Sequence, residues 1–164
     1  MRHEREPSVY RWLRSALLPL MLVLCGAGSS RRAPSLQVSQ VQDLTFGNVL
    51  AGVVTTIQLT DASAGQYTLT NGTGKPIQAQ LIFVLPPTLT TAGGASVPVT
   101  FGPVSAGFSP DGSLATVVPF DPSVPFTVTV DRKTTARVFL GGTLQPGSSQ
   151  SPGSYSATIV LTAN

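Results

Sequence analysis

Side chains suited to nucleophilic, acid–base or metal chemistry are concentrated at the very start of this chain. The only cysteine, the only histidine, the only tryptophan and both glutamates (Cys25, His3, Trp12, Glu4 and Glu6) lie within the first 25 of 164 residues. Beyond them there is no thiolate, no imidazole and no glutamate. Cysteine nucleophiles, histidine bases, Cys/His metal sites and paired glutamates are therefore excluded from residues 26–164. A serine–lysine pair is the hydrolytic device still open, but Lys75 and Lys133 sit in no recognisable nucleophile context. The expectation is a non-enzyme with no catalytic residue, no cofactor and no metal.

Three short motifs carry some chemical interest. Gly72-Thr73-Gly74-Lys75 looks like the tail of a phosphate-binding loop, but Pro76 stands where Ser or Thr is required and no helix pattern follows. Asn71-Gly72-Thr73 is formally a glycosylation sequon. Asn-Gly between alternating apolar runs is better read as a tight hairpin turn with left-handed backbone. Asp111-Gly112-Ser113 and Asp121 could offer oxygens to calcium, although few carboxylates converge there.

The elements that must position these residues alternate with period two. Val53, Thr55, Ile57 and Leu59 share one face, as do Tyr67 and Leu69, and Ile77, Ala79, Leu81, Phe83 and Leu85 up to Pro86-Pro87. Val97, Val99 and Phe101 follow, then Leu114 to Phe120, Phe126 to Val130, and Val138 and Leu140 before Gly141-Gly142. Tyr155, Ala157, Ile159 and Leu161 line one face of a last strand. About eight or nine strands with turn-punctuated spacing and no helical period predict an all-β, antiparallel, immunoglobulin-like sandwich. Phe46, Tyr67, Phe83, Phe101, Phe126 and Tyr155 nearly all fall at apolar phases, which assigns them to the core rather than to a carbohydrate-binding platform.

The N-terminal segment reads as targeting rather than structure. Four arginines precede Ser15 to Leu24, an apolar run about half as long as the ~20 residues that cross a bilayer, and small residues Gly26 to Ser30 come next. Residues 1–29 are thus expected to be a secretory signal, and no membrane span is expected after its removal. Cys25 occupies a lipoprotein-like position, but Leu24 stands where a small residue would precede a lipidated cysteine. From Gly28 onward six basic residues (Arg31, Arg32, Lys75, Arg132, Lys133, Arg137) meet five aspartates (Asp43, Asp61, Asp111, Asp121, Asp131), leaving +1, which gives no footing for nucleic acid. Export to the periplasm, cell surface or medium is the expectation. The domain scheme is a polar extension over 30–43 and one sandwich domain over 44–164.

Leu44 to Gly47, Leu85-Pro86, Gly141 to Leu144 and Pro152 to Tyr155 together resemble a bacterial family of secreted domains of unknown function, similar to the spore coat protein U and fimbrial-subunit group. The chain departs from that pattern in ending Leu161-Thr-Ala-Asn164, without a terminal aromatic residue, and in lacking the cysteines of the coat-protein branch. The resemblance implies a structural subunit of a pilus-like or surface-coat assembly, partnered by itself, by other envelope subunits or by a periplasmic chaperone. Its sandwich would be incomplete and completed by a donor strand. Two fates follow for Ser35 to Leu44: the first strand of its own sandwich, or a donor that places Leu36, Val38 and Val41 in a neighbour's groove. Tyr155, Ala157, Ile159 and Leu161 would form the terminal strand or the groove that receives it. The alternative function is a self-contained secreted sandwich that binds a glycan or protein ligand.

Overall fold

The structure, a computed structural model, describes residues 36–164; the expected signal segment lies outside them. Twelve strands follow in order. They are β1 (Leu36–Gln42), β2 (Thr55–Ile57), β3 (Gly65–Asn71), β4 (Ile77–Val84), β5 (Thr88–Thr90) and β6 (Ser96–Thr100), then β7 (Ala106–Ser109), β8 (Val118–Phe120), β9 (Phe126–Val130), β10 (Thr135–Leu140), β11 (Gly142–Leu144) and β12 (Val160–Ala163). All pairings are antiparallel. They make a five-stranded sheet β1-β3-β10-β7-β8, a three-stranded sheet β12-β4-β9 and a four-stranded sheet β2-β11-β6-β5.

The first two sheets face each other as an all-β sandwich. Their inward residues, among them Leu69, Leu81, Phe108, Val130, Val138 and Leu140, form one buried cluster, which is where period-two alternation should place them. A row of aromatic rings crosses this interior. Tyr67 meets Phe83 edge-on at 5.8 Å, Phe83 lies 6.4 Å from Phe120, and Phe120 stacks on Phe126 at 4.2 Å.

The four-stranded sheet covers a second, smaller core of Val49, Leu89, Val97, Val99 and Leu144. Two long stretches of chain run from one sheet system into the other. One is β4, which passes through Leu85-Pro86-Pro87 into β5; the other is β10, which passes through Gly141 into β11. A Cβ on Gly141 would collide with the Ile57 carbonyl oxygen, and the Gly141 amide donates to Ser105 O at 2.7 Å. Only glycine lets the strand change sheets there.

These crossings correct several expectations. Pro86-Pro87 and Gly141 do end β4 and β10, as expected, but a further strand in another sheet follows each break almost at once. The stretch Leu114–Thr116 is a 3-10 turn capped by Ser113, so only Val118–Phe120 of the expected strand forms. Strand β7, all four residues of which are buried, lies where Gly and Pro suggest a loop. Asn71-Gly72 makes no hairpin: β3 and β4 belong to different sheets, and neither residue has positive φ. Strand β1, read from the sequence as part of a 30–43 extension or possible donor strand, pairs with β3 of its own chain.

Candidate functional site

The two edge strands β1 and β12 flank one side of the sandwich, and the seam between them is open. Beyond β1 the chain runs without regular structure, through Gly47 at φ 66°, to Val49, which bridges antiparallel to Gly153. From that bridge the two stretches 40–48 and 154–159 part around a cleft of about 390 Å³. Its polar lining includes Gln40, Asp43, Asn48 and Ser154, and its aromatic lining is Phe46, Tyr67, Phe101 and Tyr155.

The segment leading into β12 is committed to partners other than β1. Ser156 exchanges both backbone hydrogen bonds with Thr90 of β5, each at 3.0 Å, and Val160 to Ala163 pair with β4. Residues 157–159 lie between these two pairings, alongside the stretch that contains Pro86 and Pro87. Proline has no N–H to give, so the ladder fails there. The Tyr155 ring is held on the cleft wall by its hydroxyl, which donates to Ser151 O at 2.6 Å and accepts from the Gln150 amide. On the opposite wall the Gln40 amide donates to Asp43 Oδ1 at 2.5 Å.

Tyr67 forms the floor. Only 4% of it is exposed, Phe83 fixes its ring, and its hydroxyl makes no hydrogen bond among the described residues. Burial, with a smaller contribution from the Asp43 carboxylate, pushes its pKa up to about 12, so the hydroxyl is a neutral donor at any physiological pH.

The sequence-picked residues distribute unevenly around this seam. Strand β1 pairs in register with β3 of its own chain, Leu36 opposite Asn71 and Val38 opposite Leu69. Leu36 and Val38 are half-buried against the main core, whereas a register shift between Gln40 and Gln42 turns Val41 outward, 59% exposed. At the other edge Leu161 is buried opposite Phe83, Ile159 packs partly on the main core, and Tyr155 packs on the second core. Ala157, expected to point inward with them, is exposed on the cleft. The alternation is present, but it serves two different cores with a gap between them. Phe46, Tyr67, Phe101 and Tyr155 were assigned to the core; they also wall this gap. The signal available for Tyr67 was its polar tip, which needs a partner or an opening when the ring is buried.

The short motifs are consumed structurally. Asn71 is 1% exposed; its amide nitrogen donates to Lys75 O and Val130 O, both at 2.9 Å, and its oxygen accepts from the Thr73 amide and hydroxyl. That side chain ties the loop between β3 and β4 to the end of β9 and has no freedom to carry a glycan. Asp111 accepts from the hydroxyls of Thr116 and Ser109 and from the Ser113 amide, which together hold its carboxyl below the usual range. Asp121 is lowered in the same way by the Ser123 hydroxyl and amide. Among the described residues no helix is long and apolar enough to cross a membrane.

No family model matches the chain, and no curated protein matches it.

Proposed function

We propose that this chain is an exported, non-catalytic structural subunit that joins a pilus-like or surface-coat assembly by β-strand addition at the β1 edge. The observation that carries the reading is the character of β1. It is an outermost strand with no fully buried residue, yet it covers the backbone edge of β3 beside an open cleft. An edge strand paired on one side only can leave its own sheet and be replaced by the same strand of a neighbour. Every contact is then remade in trans, and only the linker geometry changes.

Sequence features support the same reading: the signal-like N-terminus, the absence of cysteine, histidine and glutamate beyond residue 25, the sparse charge and the resemblance to secreted coat and fimbrial subunits. The test removes residues 28–42 and adds a peptide copying Ser35 to Leu44. The truncated chain is expected to remain soluble, to bind the peptide and to lose multimer formation, whereas the full chain forms multimers over hours to days. A full chain that stays monomeric in sedimentation runs at millimolar concentration, with or without a chaperone, refutes the proposal.

A further inference from the structure

We infer that the cleft between β1 and the stretch leading into β12 binds a neutral sugar residue, with Tyr67 as the hydrogen-bond donor at its floor and Tyr155 as the stacking wall. The inference does not depend on strand exchange; it follows from what lines the cleft. A volume of about 390 Å³ lies within the range of about 300–1,000 Å³ in which small molecules are enclosed. Among the described residues no lysine or arginine contributes to the lining, and its one charged group is the Asp43 carboxylate, which disfavours an anion. The polar groups are hydroxyls, side-chain amides and one carboxylate. This set matches the alternating donors and acceptors of a polyhydroxylated ring, and a half-buried tyrosine face suits its C–H surface.

Tyr67 carries the argument furthest. Tyr67 is 4% exposed, and among the described residues no buried side-chain oxygen or nitrogen lacks a partner, so its unbonded hydroxyl is the part of the side chain that reaches the open cleft. Here no described residue supplies the partner, while the ring is pinned by Phe83 and the hydroxyl stays protonated. A ligand hydroxyl entering the cleft would find this donor already oriented, with the Asp43 side and the Gln40 amide within the same lining. Preorganisation of this kind saves the ordering cost that weak glycan sites usually carry.

The full chain is probed with an array of neutral, sialylated and sulfated glycans, followed by titration calorimetry with the best neutral saccharide and with phosphocholine. Neutral saccharides are expected to bind at micromolar to millimolar concentration. Tyr67→Phe, which keeps the ring and its contact with Phe83, is expected to weaken that binding by about fivefold or more with no loss of thermal stability. Asp43→Asn, at an exposed position, serves as a second variant that leaves the core untouched and should also weaken binding. The inference is overturned by no neutral saccharide binding up to ten millimolar, by preference for anionic glycans or phosphocholine, or by binding that neither substitution changes.

Discussion

The two long sides of the sandwich are built on opposite principles. On one side β8 and β9 are joined by the short loop Asp121 to Pro125 and bound by the stacked rings of Phe120 and Phe126 at 4.2 Å. On the other side β1 and β12 have no connecting loop, no shared hydrogen-bond ladder and a cleft between the segments that extend them. The stapled side makes the domain hold; the unstapled side leaves backbone edges and polar groups available. The same chain can therefore be stable and still offer an unfinished surface, because stability and openness are assigned to different edges.

The largest expected effect comes from breaking the stapled side. Phe120→Ala removes a buried ring that touches both Phe83 and Phe126 and should cost about 3–5 kcal/mol in chemical denaturation. Val38→Ala on the open side, where the side chain is only half-buried, should cost roughly 1 kcal/mol. If the two losses are equal, the sides do not differ as described. Hydrogen exchange sharpens the same contrast: amides of β3 and β10 should exchange last, and those of residues 157–159 within the first time points. The smallest effect at neutral pH belongs to Tyr67→Phe, expected within about 0.5 kcal/mol of the parent chain because no described hydrogen bond is lost.

Alkaline titration gives that tyrosine its own signature. Its pKa is raised to about 12 in the folded chain from an ordinary 10, so the folded state holds the proton more tightly than the unfolded state. The stability associated with the neutral hydroxyl is complete below about pH 10 and is lost as pH rises towards 12. Tyr67→Phe should flatten the fall in stability between those values, as measured by denaturant midpoints. An unchanged pH profile in the variant would place the hydroxyl in solvent rather than over the cleft.

Much of the strand content was legible from the sequence because alternation reports directly which side chains can be buried. Ile77 to Leu85, Phe126 to Val130 and Leu161 all follow the expected phase or sheet position. Leu36 and Val38 are two apart but Val41 is three beyond Val38, a break in the period-two phase that coincides with the register shift in β1. Residue types alone likewise determine that no cysteine, histidine or glutamate follows residue 25. Alternation says nothing about which strand lies alongside which, and that is where the tertiary structure decided. Gly141 reads as a terminator, and only the structure shows Ile57 occupying the space its side chain would need. Tyr155 and Leu161 share one apparent face, yet they pack on two different cores, and Ala157 between them lines the cleft. The cleft has the same origin. It is defined by two distant segments that pair with other partners and fail to pair with each other, a property that belongs to neither segment on its own.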